Sequence, residues 1–563
     1  MSNQNYPLYS VVPFSSIREM MELAVRDAGD RIAFKYPENK TVVEISYRQF
    51  REDQLALGTA LYKMGLTGCH VACIGPNSYR WLCVYLTMLQ TDGVFVPVDK
   101  ELPATDICNV LNDSDSEVLF YDETYEEMIT ENLDQLQNIR YFIGFGRKED
   151  SDDGRFLSYE NFLQSGYAAR SLGECDYEKI EGDPMAMRLL VYTSGTTGMA
   201  KGVMLTEHNL VSCVYYGLQI STVYDCCLSV LPYNHTYESV CGILVSLHMH
   251  ATICINDKIR AVLRNIQLFK PSYIYLVPAF AELFYKKILT NVKDKGKEKT
   301  LKRTIAMSNR LRKMGIDLRK KLFAEIHRSF GGNLRKIVCG GAPIRPEIGE
   351  FFDSIGITLV NGYGITECSP LVSANRDYFN DFNTAGVPLP CIEVTIENVN
   401  EDGLGEIAVK GDTVMLGYYK NPEETARVLK DGKFYTGDYG CFNERGQLMI
   451  TGRKKNLIVL SNGKNIYPEE IENYIQSIPY VSEVVVRSLL DDKGAESALC
   501  AEIYPDEEKV KEMEISDTLD QLRHDVAESC KTLPLYKQIQ KIFVRATPFD
   551  KTTTNKIKRN YKK

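Results

Sequence analysis

From about Ile32 to Ala261, short apolar runs bounded by turn residues alternate with stretches of helical spacing, as in "HVACIG" (from His70), "GVFVPVD" (from Gly93) and "EVLFYD" (from Glu117). Runs of this length fit strands buried on both faces, and their alternation with helices predicts α/β layers with largely parallel sheets. A second block resembles the first: "YIYLVP" at Tyr273, "KIVCGG" at Lys336 and "ITLVNGYG" at Ile357, with helical segments between. No short fixed period runs through either, which excludes a solenoid. From Ile392 to Val409 the pattern turns strand-rich, as a small β-subdomain requires. After "MITGRKKN" a compact α+β pattern follows, with helices from Pro468 and near Leu519–Cys530. The expected architecture is a large N-terminal region, residues 1–452, of two α/β subdomains plus a β-subdomain. A small mobile α+β domain, residues 453–563, completes it.

Composition narrows the function. The 563 residues suggest three or four folding units, 44% hydrophobic and 25% charged residues suit a globular chain, and a formal charge of −9 disfavours general nucleic-acid binding. The start, "MSNQNYPLYS", lacks the basic and apolar segments of a secretory signal. The longest apolar stretch, Val240–Ile255, is short for a bilayer span and carries His248 and His250, so it reads as buried sheet and helix. The 16 cysteines follow no disulfide spacing and form no C-x-x-C pair, which suits free thiols in a reducing cytoplasm and argues against zinc. Lys286–Lys321 departs from the acidic balance, with 14 basic against 3 acidic residues. It reads first as a solvated helical surface, and second as a docking face for phosphorylated ligands or anionic lipid.

The most telling stretch is "YTSGTTGMAKG", Tyr192–Gly202. It follows a strand-like run, "RLLVYT", and precedes a helix for which Thr206 is the expected N-cap and Leu210, Val211, Val214 and Leu218 the inward face. Glycines let backbone approach a phosphate closely, hydroxyls and amides donate to its oxygens, and Lys201 adds charge. A polyphosphate cradle fits; a Walker A loop does not, since no Ser or Thr follows Lys201.

Later motifs fall in a fixed order: "GGAPIRPE" at Gly340, "NGYGITE" at Asn361, "GEIAVKGDTVMLGYYKNPEET" at Gly405, "FYTGDYG" at Phe434, "TGRKKNLIVLSNGKNIYPEEIE" at Thr451 and "TTTNKIKR" at Thr552. Together with the glycine- and hydroxyl-rich loop, the set resembles the AMP-forming, adenylate-forming ligases, in particular the acyl-CoA synthetase branch, over about Arg31 to Arg559. The resemblance implies ATP-dependent activation of a carboxylic acid to acyl-AMP, with Mg2+, and then transfer to a thiol, usually coenzyme A. It implies that Thr193, Ser194, Gly195, Thr196, Thr197, Gly198 and Lys201 hold the β- and γ-phosphates. In "NGYGITE" (Asn361, Gly362, Tyr363, Gly364), Tyr363 stacks on adenine, Thr366 bonds the α-phosphate and Glu367 is the metal ligand. Gly341, Ala342 and Pro343 line the adenine slot, and Asp438 and Arg453 bond the ribose. Lys556 bridges the reacting carboxylate and α-phosphate as the main catalytic cation. Lys455 is the hinge on which the C-terminal domain turns between the two half-reactions, and Gly463 borders the thiol tunnel.

Three positions depart from the family pattern. Ala200 stands where Pro is usual, Asn555 replaces the Gly before the catalytic Lys, and Asn456 replaces an acidic residue after the hinge. Asn tolerates left-handed backbone better than most residues, so Asn555 can keep a Gly geometry. "LPYNHTYE" (Leu231–Glu238) resembles the long-chain fatty acid branch, with His235 by the acyl pocket and Asn234 in place of a usual His. Medium-chain or aryl acids stay open as substrates, and three other readings remain: a ligase that loads an acyl-carrier protein, a catalytically silent nucleotide or acyl-AMP sensor, and, more remote, a luciferase-like oxidative use of acyl-AMP. No carrier domain is recognisable, and "FDSIG" at Phe352 lacks the glycine pair before its Ser.

Overall fold

The structure, a computed structural model, describes residues 5–39, 41–193, 200–460, 464–490, 496–551 and 557–559. The chain divides into two compact units: Met1–Glu393 with Val409–Phe434, and Val394–Ala408 with Tyr435–Lys563.

Two large sheets build the first unit. Among the described residues, one sheet has eight strands in the order Gly417–Tyr418, Lys201–Thr206, Met187–Thr193, Val94–Val98, His70–Ile74, Val118–Tyr121, Tyr141–Gly144 and Phe156–Ser158. Its apolar runs pair in parallel as expected, with His70 opposite Val94 and Val71 opposite Val118. The exceptions lie at one edge, where Gly417–Tyr418 runs antiparallel to Lys201–Thr206, and Met187–Thr193 with Lys201–Thr206 forms an antiparallel hairpin whose last pair is Thr193 and Lys201. The segment joining them is too short for the crossover, of about a dozen residues or more, that a parallel return needs.

The second sheet has nine strands among the described residues. Its central strands are parallel: Thr358–Gly364, Lys336–Cys339, Tyr273–Leu276, Cys226–Ser229, Thr252–Ile255 and Ile32–Glu38. Antiparallel strands finish both edges: Leu371–Ala374 with Val387–Pro388 on one side, Thr41–Ser46 on the other. Leu228, Ile274, Ile337 and Leu359 of this sheet are fully buried against Phe284 and Ile288 of helix Pro278–Asp294 and Ile348 and Phe352 of helix Pro346–Ile355. Each such side chain contributes about 1.5–3 kcal/mol by leaving water.

Helix Glu207–Ile220 starts as its sequence predicts. Thr206 Oγ1 accepts from Asn209 N, Asn209 Oδ1 accepts from Thr206 N, and Leu210, Val211, Val214 and Leu218 face inward. Val240–Ile255 is helix and strand, buried except around the turn where Met249 is exposed, yet residues Tyr237–Leu244 wind as a π-helix, a state that a 3.6-residue reading does not foresee. The basic segment lies mostly on helices Pro278–Asp294 and Glu298–Lys313, which turn Phe284, Ile288, Leu301 and Ile305 to the core. Among the described residues no helix is long and apolar enough to cross a membrane.

The second unit is α+β. Strand Glu496–Pro505 pairs antiparallel with Val481–Leu490 and parallel with Ile539–Val544, and helices Pro468–Gln476 and Thr518–Ser529 cover them. Ile471, Ile475, Val484, Val486, Leu499, Leu522 and Val526 form its core. This unit also takes in Val394–Ala408 and begins again at Tyr435, ahead of Gly452–Lys455. Strand pairing accounts for that, since Asp438 stands opposite Arg453 and Cys441 opposite Met449.

Candidate active site

The hairpin ending at Thr193 and Lys201 is the stem of the expected phosphate loop. Ser194, Gly195, Thr196, Thr197 and Gly198 lie outside the described residues. The stem fixes Lys201, whose ammonium pairs with the Glu424 carboxylate and lies 5.3 Å from the centroid of the Tyr418 ring. Burial alone would raise Glu424, but Arg427 and Lys201 bring its carboxyl below the usual range. Tyr418 reaches this position because Gly417–Tyr418 adds an antiparallel strand beside Lys201–Thr206, with Tyr418 opposite Val203.

The same tyrosine holds the proposed metal ligand. Tyr418 Oη donates to Glu367 Oε1 at 2.8 Å, and Met415 N donates to the Glu367 carbonyl at 2.9 Å. Burial, then the charge of Glu367, pushes the Tyr418 phenol well above its ordinary value, so it stays a donor. Thr366 and Glu367 sit on one 3₁₀ turn, Thr366–Cys368, tied down where Ser369 Oγ donates to the Thr413 carbonyl at 2.8 Å. Lys201, Tyr418, Glu424 and Glu367 thus form one cluster, with Thr366 beside it in sequence. Among the described residues no group of three or more His, Cys, Asp or Glu could hold a metal ion. A lone carboxylate fits Mg2+ that completes its shell with nucleotide phosphates and water.

Gly340 and Gly341 leave strand Lys336–Cys339 beside Asn361, which stands opposite Cys339. Gly341 has φ +83°, a left-handed conformation that favours glycine, and Ala342 and Pro343 continue on the exposed rim. Tyr363 is half-buried. A Cβ on neighbouring Gly364 would come within 2.2 Å of the Pro370 carbonyl oxygen, so only glycine lets the strands approach there. Asn361 Nδ2 donates to the Thr384 carbonyl at 2.7 Å, and its Oδ1 accepts from Asn375 Nδ2.

Gly340, Gly341 and Asn361–Gly364 border a cavity of about 110 Å³ with walls including Val223, Tyr237, Cys241, Val245 and Tyr275. Lys336 also lines it. His235 is not among its lining residues; it stands on the turn before the π-helix, where its carbonyl accepts from Glu238 N and Ser239 N. Tyr237, Cys241 and Val245, at helical spacing after it, face the cavity instead. Sequence reasoning missed Tyr418, Glu424, Tyr237 and Lys336. Tyr418 and Glu424 were within reach, since both lie in the motif that starts at Gly405.

In the second unit, Arg453 Nε lies 2.9 Å from Asp438 Oδ1, with the Asp438 side chain 4% exposed and that of Arg453 47%. Lys455 lies on the 3₁₀ turn Lys454–Asn456; burial, then the charge of Arg453, pulls its ammonium below the ordinary lysine range. Gly463 and Lys556 lie outside the described residues.

Residues 21–419 match the AMP-binding enzyme family, and residues 455–562 match the AMP-binding enzyme C-terminal domain. The chain belongs to the AMP-binding enzyme family. Among curated relatives of this AMP-binding enzyme, long-chain-fatty-acid–CoA ligase 5 of Rattus norvegicus is 30% identical over 90% of the chain and 78% of its own length. Long-chain-fatty-acid–CoA ligase FadD15 of Mycobacterium bovis is 27% identical over 85% of the chain and 81% of its own length. Among solved structures, the anthranilate CoA ligase AuaEII in complex with anthranoyl-AMP superposes with a TM-score of 0.76 at 18% identity, covering 99% of this chain and 97% of its own. The Mycobacterium tuberculosis fatty acyl CoA synthetase gives 0.66 at 23%, covering 97% of each chain. The α/β fold with a smaller C-terminal domain is theirs too. This AMP-binding enzyme is an AMP-forming acid–thiol ligase.

Proposed function

We propose that this ligase activates a fatty acid to acyl-AMP and transfers the acyl group to coenzyme A. In the first step a carboxylate oxygen attacks the α-phosphorus of ATP and the bond to the β-phosphate breaks, releasing pyrophosphate. In the second the thiol sulfur attacks the acyl carbonyl, AMP departs and the thiol proton passes to solvent. Two anions meet in the first step, so preorganised cations and dipoles lower its barrier most. Lys201 and the hydroxyls and amides of Thr193–Gly198 hold the terminal phosphates, and Thr366 donates to the α-phosphate. Glu367 holds Mg2+, which when bound neutralises phosphate charge. Tyr363 stacks on adenine above Gly341, Ala342 and Pro343, and Asp438 and Arg453 bond the ribose. Lys556 supplies the ammonium between the reacting anions. Lys455 is the pivot, and Gly463 flanks the path of the thiol arm.

The observation that carries this reading is the apolar cavity bordered by Asn361–Gly364 and Gly340–Gly341. Those segments would hold the adenine, so an acid lying in the cavity directs its carboxylate at the nucleotide. A long alkyl chain and coenzyme A as acceptor are supported by the names of the curated relatives. The free thiols among the described residues favour a reducing, cytoplasmic setting. Exposed Met307, Met314 and Ile316 among the basic side chains of Lys286–Lys321 favour peripheral contact with anionic lipid, which flotation with anionic vesicles would detect.

Acid-dependent exchange of pyrophosphate into ATP, followed by a CoA thioester, tests the whole reading. AMP release without thioester in the presence of CoA would favour loading of an acyl-carrier protein. ATP binding without exchange for any acid would favour the sensor.

A further inference from the structure

The cavity is apolar along most of its wall but meets a charged group at the start of one strand. Lys336 opens strand Lys336–Cys339, and Gly340 follows it, so along that strand the two cavity-lining residues stand about 13 Å apart. The Lys336 side chain is 1% exposed. Its ammonium donates to Ser221 Oγ (2.6 Å), the Thr222 carbonyl (2.5 Å) and Asp377 Oδ1 (2.6 Å). Asp377 is equally committed: Oδ1 also accepts from Ser221 Oγ, and Oδ2 accepts from Thr222 N and, at 2.9 Å, from Tyr9 Oη.

Residues Asn5–Tyr9 fasten this cluster from outside. Tyr9 N donates to the Gln219 carbonyl, and neighbouring Arg376, 1% exposed, donates to Asn5 Oδ1 (2.6 Å) and the Pro7 carbonyl (2.8 Å) under the ring of Tyr6. An alkyl chain offers nothing to replace these bonds. Moving Lys336 aside would leave a buried carboxylate without its cation, which costs far more than a terminal methyl gains.

We propose that the Lys336–Asp377 ion pair, latched by Tyr9, is the floor of the acyl cavity and sets the upper limit of chain length. The proposal rests on the reading that this cavity takes the acyl chain. An acid gains apolar contact with each added methylene until its end meets the ammonium. Beyond that length, further methylenes must bend back or go unburied.

The test compares saturated fatty acids graded by two carbons in two readouts: binding by calorimetry without nucleotide, and acid-dependent pyrophosphate release. The Lys336→Met/Asp377→Leu variant removes both charges together, so neither is stranded. For the acid two carbons beyond the wild-type optimum relative to the optimum itself, its affinity and kcat/KM ratio should rise about tenfold. Val223→Phe, which keeps both charges and fills the cavity beside Thr222, whose carbonyl accepts from Lys336, should lower that ratio by a similar factor, and it decides the matter if the double variant does not fold. Ratios equal to wild type in folded variants that still activate acids would overturn the floor and leave the reaction standing. Ratios that shift in binding while no acid is activated would uphold the floor and sink the reaction.

Discussion

Tyr418 Oη donates to Glu367 Oε1 at 2.8 Å, and the ring of the same tyrosine lies 5.3 Å from the Lys201 ammonium. One side chain therefore positions both the proposed metal ligand and the proposed phosphate-binding lysine. Tyr418→Phe keeps the ring and removes the hydroxyl. A hydrogen bond to a charged group contributes about 1.5–3 kcal/mol, part of which water restores in a half-buried site. The Mg2+ concentration for half-maximal ATP–pyrophosphate exchange should rise about fivefold; an unchanged midpoint would show that Glu367 needs no such support.

Lys201 and Glu424 form an ion pair in which each side chain is 16% exposed. If Lys201 serves the phosphates, it must exchange Glu424 for them. Lys201→Ala should lower kcat/KM for ATP by about tenfold to a hundredfold, the worth of a charge-assisted contact. Glu424→Gln should leave it within about threefold, with a lower KM for ATP because the competing carboxylate is gone. Equal losses in the two variants would make the pair a structural clamp.

Glu238 is fully buried, and burial pushes its carboxyl from 4.5 to about 8, against hydrogen bonds from Ser229 and nearby backbone. Among the described residues its Oε2 has no hydrogen-bond partner, and the carboxyl packs against Gly242, where a Cβ would come within 2.9 Å of it. Because the folded value lies above the unfolded one, the folded chain binds the extra proton. Its stabilising effect is complete below about pH 4.5 and is lost as pH rises through 8. Glu238→Gln should flatten the fall in stability between pH 5 and pH 9 by on the order of 1–4 kcal/mol, read by urea unfolding. Parallel wild-type and variant profiles would mean that Glu238 is charged and solvated.

Lys556→Ala should suppress adenylation by about a hundredfold or more, the scale of losing a preorganised charge at developing anions. Thioester formation from supplied acyl-AMP should change far less. Equal losses in both half-reactions would remove Lys556 from the adenylation step.

Lys455→Pro fixes φ and removes a backbone donor on the turn Lys454–Asn456. If this turn is the pivot, thioester formation falls about tenfold or more while pyrophosphate exchange persists. Normal overall turnover in this variant would place the pivot elsewhere.

The sequence by itself determined much of the frame. Apolar runs at His70, Val94, Val118, Tyr273 and Lys336 became parallel strands, and Thr206 capped its helix, because burial on both faces and capping are local requirements that residue type records. The motif series also singled out Lys201, Glu367, Asp438 and Arg453 as candidates. What it could not convey is which residues meet. Tyr418 reaches Glu367 only because a two-strand edge contact joins segments more than two hundred residues apart. Lys336 looks like one more surface lysine beside Arg335 until the sheet buries it against Asp377 and the chain's first described residues close behind it. Chemical type is written along the chain, whereas burial and partnership exist only once distant segments share a wall. Tertiary structure alone therefore decided how the proposed ligand is held and where the cavity meets charge.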